Sequence, residues 1–183
     1  MRLASTPTIT RLRYWVRHCP ACLAENDAIA RRFRELDPGD IERRSHFFAG
    51  RYENVYVRRE AMPELGVILQ AAQAQAAAIL GRESETLRLG LWFNEMKPGH
   101  KTLPHTHDDA DELLSGVYYV TAPPRCGNLV LTDGDASVAL KPQAGMFVFF
   151  PPDLLHEVEP NRSDETRLSL GMNFGALDRT DLP

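Results

Sequence analysis

Two histidines in the second half of the chain have a spacing that suits metal binding. His105 and His107 are two residues apart, and residues at i and i+2 of a β-strand point to the same face. Two such imidazoles can hold one metal ion without a bend in the chain. Aspartates follow at 108, 109 and 111, so a carboxylate ligand is also within reach. A set of two histidines and one carboxylate leaves open positions on iron, as oxygen chemistry requires.

A third ligand has to come from elsewhere in the chain, and His156 is the candidate. It follows the run FFPP at 149–152, and Arg167 stands further on in the apolar run RLSL. An arginine that points into an apolar interior is costly unless it meets an anion. Its planar guanidinium suits a two-point grip on a carboxylate. The pattern therefore predicts a metal ligand beside a carboxylate-binding arginine.

The first 82 residues, which must support this site, have mainly helical spacing. Apolar residues recur at helical intervals from 22 to 36, and the segment 37–40 (DPGD) breaks the pattern and could cap a short second helix. The alternating run YENVYV at 52–57 predicts one strand. A further helix starts near 61–64, runs through an Ala/Gln-rich segment to Leu80 and stops at Gly81.

The rest of the chain predicts a β-rich core. Short strand-like runs separated by Gly and Pro turns lie near 86–94, 103–107, 115–121, 128–132, 136–140, 145–150, 155–159 and 166–174. This density of short strands is typical of a double-sheet jelly roll, the cupin-like double-stranded β-helix. We therefore expect a mainly β fold with N-terminal helices. It would form one domain over 1–183, with a helical support region at 1–85 and the β core at 86–176.

Composition and charge exclude several classes of function. The chain has a formal net charge of −4 and an isoelectric point near 5.9, so it lacks the basic footprint of a nucleic-acid-binding protein. Its apolar runs are too short to span a bilayer, and its first residues lack the apolar core of a signal peptide. We expect a cytoplasmic protein that binds neither nucleic acid nor membrane.

The three cysteines do not predict a metal site. Cys19 and Cys22 form a C-x-x-C pair, but a structural zinc needs four ligands and only the distant Cys126 remains. We interpret the pair as two unremarkable thiols at the start of a helix.

From Met96 to Phe174 the chain resembles the 2-oxoglutarate/iron(II) dioxygenase superfamily, especially its prolyl-hydroxylase-like branch and small bacterial relatives. The segment 99–107 (GHKTLPHTH) resembles the strand that carries the first two iron ligands. The segment 115–120 (SGVYYV) resembles the next strand, and 142–150 (PQAGMFVFF) resembles the approach to the last ligand. The best match is His156 followed by Arg167. Each motif is weak alone, and their common order makes the resemblance specific.

The resemblance implies a site for iron(II), 2-oxoglutarate and O2. His105, His107 and His156 would hold the iron, which the keto-acid end of 2-oxoglutarate would chelate. The distant carboxylate of 2-oxoglutarate would bind Arg167, with hydrogen bonds from Tyr119 and Ser169. Such an enzyme couples oxidative decarboxylation of 2-oxoglutarate to oxidation of a substrate, commonly its hydroxylation.

The chain departs from the family pattern at the first motif, which is usually His-x-Asp or His-x-Glu. One register uses His105, His107 and His156, and the nearby aspartates would then orient the imidazoles. The other uses His107, Asp109 and His156. The approach at 99–103 favours the first register, whereas the charge on iron favours the second.

Other readings of the same residues remain open. A cupin-like metal enzyme or metal-binding module without 2-oxoglutarate would share the fold and histidines but have no use for Arg167. For Asn94 and Asn173 we favour hydrogen bonding at the strand ends over a position facing the cavity, and we interpret Trp92 as a core residue rather than a substrate platform. The substrate would be a small molecule or a peptidyl group, and pairing of two copies through sheet edges is an expectation by analogy with other jelly rolls.

Overall fold

The computed structural model describes residues 12–107 and 111–177. Two α-helices lie in the N-terminal half of this part: α1 (Pro20–Arg34) and α2 (Gly66–Leu80). The strands are β1 (Trp15–His18), β2 (Ile41–Phe48), β3 (Arg51–Val57), β4 (Leu87–Met96), β5 (Thr102–His105), β6 (Glu112–Thr121), β7 (Leu129–Asp133), β8 (Ala136–Leu140), β9 (Met146–Phe150), β10 (Leu155–Val158) and β11 (Arg167–Ala176).

The strands form two antiparallel sheets. The larger has seven strands in the order β1-β9-β6-β11-β4-β3-β2, and the smaller has four in the order β5-β10-β7-β8. The mainly β jelly roll with N-terminal helices is therefore confirmed. The eight strands expected in the C-terminal half correspond to β4 through β11, with ends that differ by a few residues.

The expectation of a second short helix after residue 37 is wrong. Pro38–Asp40 is a single 3-10 turn, and β2 follows it at once. Strand β2 pairs with β3 from Ile41 opposite Val57 to Phe48 opposite Arg51. This segment forms a strand because pairing with β3 satisfies its backbone hydrogen bonds. The local sequence pattern does not reveal this pairing, since β3 lies further along the chain.

Alternation along the strands separates two apolar cores. The even residues of β11, from Leu168 to Phe174, pack with the helices on the outer face of the larger sheet. That core also takes Phe93, Phe147 and Phe149. A second core lies between the two sheets and includes Tyr119, Leu131, Val148 and Phe150. The odd residues of β11 therefore face the space between the sheets.

The interpretation of Cys19 and Cys22 as unconnected thiols is wrong, because the two form a disulfide. Cys19 caps the N-terminus of α1 and Cys22 lies in its first turn, with a Cα–Cα distance of 5.2 Å. That separation is within the range a disulfide bridges. Within the described ranges, the remaining cysteine, Cys126, is buried and unpaired.

Across residues 12–107 and 111–177, the helices are too short or too polar to cross a membrane.

Helix α1 is fixed to the back of β6 by one buried amide. The Asn26 side chain is 4% exposed. Its Nδ2 donates to the carbonyl oxygens of Val120 at 2.8 Å and Tyr119 at 3.4 Å, and its Oδ1 accepts from the Tyr118 hydroxyl at 2.7 Å. The amide thus holds α1 against the strand that carries Tyr119 into the space between the sheets.

We expect Asn26→Ala to lower the free energy of unfolding by about 2–3 kcal/mol, because it leaves the Tyr118 hydroxyl buried without an acceptor. Urea denaturation followed by circular dichroism measures the change. Asp27→Ala, at the exposed neighbouring position on α1, is the matched control and should stay within about 0.5 kcal/mol of the parent. Equal effects of the two substitutions would contradict the anchoring role of Asn26.

Candidate metal centre and its pocket

Three histidines from distant parts of the chain meet at one point. Strand pairing puts His105 of β5 opposite His156 of β10. His107 lies just past the end of β5, where its backbone N–H donates to the carbonyl of Pro152 at 2.7 Å. One ring nitrogen from each histidine can be chosen so that all three lie within 4.8 Å of one another. The group has the size and composition of a metal-binding cluster.

Hydrogen bonds set which nitrogen of each ring carries the lone pair. Nδ1 of His105 lies 2.9 Å from the carbonyl oxygen of Leu103, and Nδ1 of His156 lies 2.9 Å from that of Leu154. A carbonyl oxygen only accepts, so Nδ1 is protonated in both rings. The lone pair of each neutral ring is then on Nε2.

His107 is also protonated on Nδ1, but its hydrogen-bond acceptor is a side chain instead of a backbone carbonyl. Its Nδ1 lies 2.9 Å from Oγ of Ser115, which in turn donates to Oδ1 of Asn173 at 3.1 Å. Because the Ser115 proton is used on Asn173, the serine oxygen accepts from Nδ1 of His107. Nε2 again holds the lone pair, so all three imidazoles are arranged as nitrogen ligands.

Burial keeps the innermost imidazole neutral. His156 is 6% exposed. Desolvation is the main cause that lowers the pKa of His156 to about 3; the nearby His105 and His107 rings contribute to this shift and the Leu154 carbonyl opposes it. A metal ion binds the neutral form of imidazole, so His156 needs no deprotonation at neutral pH.

A buried cation occupies another part of the same cavity. Arg167 begins β11 and is 2% exposed. Its Nη1 donates to the carbonyl of Gly127 at 3.2 Å, and its Cζ lies 5.0 Å from the ring centre of Tyr119. Among the described residues, no carboxylate forms an ion pair with Arg167.

Two hydrogen-bond donors beside this cation are left without partners. Nε of Arg167 and the hydroxyl of Tyr119 are buried and make no hydrogen bond to any residue in 12–107 or 111–177. Burial raises the pKa of Tyr119 to about 12, so its hydroxyl keeps its proton. An anion that accepts from both groups would satisfy them, and a carboxylate of 2-oxoglutarate has the required chemistry.

The register of β11 connects the arginine to the histidines. Ser169 pairs with Asn94 on one side and Tyr119 on the other, and Asn173 pairs with Ser115. These residues share the face that looks between the sheets. A cavity of about 420 Å³ is lined by Arg167, Ser169 and Asn173 on this strand and by all three histidines.

Trp92 belongs to the cavity wall, so its interpretation as a core residue is wrong. It is half-buried and its ring centre lies 6.0 Å from that of His107, edge to face. Its partner across the sheet is Gly171, and a Cβ at that position would overlap the indole. The absence of a side chain at Gly171 is what lets the indole lie flat inside the jelly roll. Asn94 and Asn173 also line the cavity.

Of the three aspartates that follow His107, the structure describes only the last. Asp109 and Asp108 lie outside the described residues, so the register that uses Asp109 stays a prediction. Asp111 is exposed and pairs with Arg88 at 2.6 Å, so it does not orient the imidazoles as expected. Two backbone carbonyls and Ser115 have that role instead. A buried serine in the apolar strand β6 was the available signal for it.

We expect Gly171→Ala to displace the Trp92 indole and to cost about 1–3 kcal/mol of unfolding free energy, because the added methyl group overfills the wall. Tryptophan fluorescence reports the displacement and urea denaturation the stability. Gly66→Ala is the control, since a methyl group there meets nothing within 4 Å and the backbone is helical. An unchanged emission spectrum in Gly171→Ala would contradict the packing described here.

Comparison with known proteins agrees with this arrangement. Residues 90–173 match a protein-family model described as "Putative 2OG-Fe(II) oxygenase". A search of curated proteins found no match. The matched segment runs from the middle of β4 to Asn173 and includes the three histidines and Arg167.

Solved structures of similar fold come from the same group of enzymes. A Pseudomonas putida prolyl-4-hydroxylase is 22% identical, with 91% of this chain and 89% of that chain covered and a TM-score of 0.63. The carbocyclase SnoK from nogalamycin biosynthesis is 19% identical, with coverage of 91% and 81% and a TM-score of 0.73. The epimerase SnoN, solved with Fe3+, alpha ketoglutarate and nogalamycin RO, is 20% identical, with coverage of 91% and 80% and a TM-score of 0.68.

At these sequence identities the structural likeness shows only that the fold is shared. The family match shows in addition that the sequence of the β core resembles that of the family. Residues 90–173 are therefore similar in sequence to the 2-oxoglutarate/Fe(II) oxygenases, and the chain shares the fold of these enzymes.

Proposed function

We propose that this enzyme binds iron(II) through His105, His107 and His156, binds 2-oxoglutarate through Arg167, and hydroxylates its substrate. One observation carries the proposal. Three imidazoles with their lone pairs on Nε2 converge in the same cavity as a buried arginine that has no carboxylate partner among the described residues. A site for a metal and a dicarboxylate needs both features at once.

The donor set at the histidine cluster suits iron(II). Imidazole nitrogen is a common ligand of this metal, and three protein ligands leave positions for a chelating co-substrate and for O2. The orientation of His105, which the Leu103 carbonyl holds toward His156, supports the three-histidine register. Asp109 remains the alternative ligand to His105.

The arginine end suits the distant carboxylate of 2-oxoglutarate. Arg167 supplies the charge, and the Tyr119 hydroxyl supplies a neutral donor whose proton burial retains. Ser169 is 2% exposed and lies beside Tyr119 in the sheet, so its hydroxyl is a third candidate donor. The Gly127 carbonyl holds the guanidinium in place before the co-substrate arrives.

When bound, iron(II) and 2-oxoglutarate supply oxygen activation through oxidative decarboxylation, which releases succinate and carbon dioxide. The chain's own residues position and shield this chemistry. The apolar side chains of Leu129, Phe150 and Val158 line the cavity and limit the access of water. Hydroxylation is the activity of the similar prolyl-4-hydroxylase, and we propose it for the small-molecule or peptidyl substrate of this chain.

A cupin-like metal enzyme that works without 2-oxoglutarate is the alternative. It would use the same histidines. In such an enzyme the Arg167 charge would be buried with no function and no compensating anion, which would destabilise the folded protein. The arginine therefore favours the oxoacid-dependent activity.

We expect Arg167→Met to weaken 2-oxoglutarate binding about 10- to 100-fold, because charge-assisted hydrogen bonds to the carboxylate are lost. Anaerobic titration of the iron(II) protein, followed by the visible absorption of the iron–oxoacid chelate, measures the affinity. Arg162→Met, at an exposed position, should change nothing. His156→Ala should abolish succinate formation in air. Unaltered affinity in Arg167→Met would instead support the cupin-like alternative.

We expect Ser115→Ala to weaken metal binding about 10- to 100-fold, because His107 loses the acceptor that sets its tautomer and orientation. Titration of Mn(II) into the metal-free protein, followed by electron paramagnetic resonance, measures the change. Ser137→Ala removes an exposed hydroxyl from β8 and serves as the control. If both variants bound Mn(II) as the parent does, the Ser115 hydrogen bond would have no role in the metal site.

A further inference from the structure

The hairpin of β2 and β3 forms a part of the cavity wall to which the metal and oxoacid chemistry assigns no role. His46 and Phe48 of β2 and Asn54 and Tyr56 of β3 line the same cavity as the three metal-site histidines. Phe47 also lines it and is 66% exposed, so an apolar side chain stands at the mouth.

Strand β2 adopts an unfavourable backbone conformation to place His46 there. His46 has φ 57°, in the left-handed region, although its neighbours keep their pairing, with Ser45 opposite Asn54 and Phe47 opposite Tyr52. A residue with a side chain occupies this region only when its surroundings hold it. Ala49, at the turn of the same hairpin, has φ 47° but does not line the cavity.

Contacts within the hairpin hold the His46 ring and decide its tautomer. Nδ1 lies 3.0 Å from the amide nitrogen of Asn54 and 2.8 Å from the hydroxyl of Ser45. The amide nitrogen only donates, so Nδ1 is the acceptor and the proton of the neutral ring lies on Nε2. In the portion of the chain that the structure describes, Nε2 has no hydrogen-bond partner. His46 is exposed and lines the cavity, so Nε2–H is open to solvent and is a candidate donor to a molecule that enters the cavity.

The surroundings of this donor are aromatic and electrically balanced. The Tyr56 and Trp92 ring centres lie 6.1 Å apart, and both rings line the cavity. Glu53 also lines it, but Arg51 neutralises its charge at 2.9 Å and Thr102 donates to the same oxygen at 3.1 Å. Arg167 would be compensated by 2-oxoglutarate. Among the described residues, the side chains that line this part of the cavity then offer flat apolar surfaces and no unpaired charge.

We infer that the hairpin selects the substrate, an uncharged, ring-containing small molecule with a carbonyl or other acceptor oxygen that binds Nε2–H of His46. Its flat part would lie against Trp92 and Tyr56. This inference rests on the proposed function, because the oxidised position has to lie near the metal.

Coumarin is a suitable probe, since it is flat, uncharged and carries a carbonyl oxygen. The protein is loaded with Zn(II) and 2-oxoglutarate, a redox-inert combination, and coumarin binding is measured by ligand-observed NMR titration. Naphthalene has a similar shape without the acceptor, and coumarin-3-carboxylate adds a negative charge. We expect both to bind at least 5-fold more weakly than coumarin.

The decisive variant is His46→Gly, because glycine adopts the left-handed conformation without strain. It should lose about 5- to 10-fold in coumarin affinity while its unfolding midpoint stays the same or rises. A structural role for His46 would lower the midpoint instead. Ala49→Gly makes the same backbone change on this hairpin outside the cavity and should bind coumarin as the parent does.

The outcomes separate this inference from the proposed function. Failure of the parent protein to bind Zn(II) or 2-oxoglutarate overturns the proposed function and the inference with it. Normal binding of both, with no preference for coumarin over naphthalene or over the carboxylate, overturns the substrate class alone. Parent-like coumarin affinity in His46→Gly overturns the role of His46.

Discussion

Strand β11 lies at the centre of the larger sheet and has to satisfy two different environments at once. It pairs with β4 along its whole length and with β6 along most of it. Leu168, Leu170, Met172 and Phe174 pack against the helices, while the residues between them face the cavity. Because the side-chain period of a strand is two, a shift of one residue would bury the arginine against the helices and expose the apolar face to the cavity. The site and the core therefore depend on the same register.

The buried charge of Arg167 explains why the cavity is polar at one side. A guanidinium in this position is retained only if something compensates it, and the described protein groups supply one carbonyl and the face of the Tyr119 ring. The unsatisfied donors on Arg167 and Tyr119 lower the stability of the protein when no anion is bound there. They also preorganise the site, because the donors are in place before an anion binds and need little rearrangement.

The histidines are positioned by a different principle, which uses short strands and backbone carbonyls. His105 and His156 belong to four-residue strands of the smaller sheet and face each other through one pairing. Each ring is then held by the carbonyl of the residue two positions earlier in the chain. His107 instead reaches across to Ser115 and Asn173 of the larger sheet. The histidine cluster thus joins the two sheets, so that metal binding at this proposed site and closure of the jelly roll should reinforce each other.

The sequence alone determined the β-rich core, the order of its strands and the residues with the right chemistry for the site, because alternation, turn residues and histidine spacing are local signals. It also predicted the fold class, through the family-like order of the motifs between Met96 and Phe174. It could not predict that Trp92 lines the cavity, since this depends on the missing side chain of Gly171 on another strand. The Cys19–Cys22 disulfide, the strand at 41–48 and the Ser115 contact to His107 were also decided only by the tertiary structure. Each depends on a partner that is distant in sequence or on the exact orientation of a side chain, and neither leaves a periodic trace along the chain.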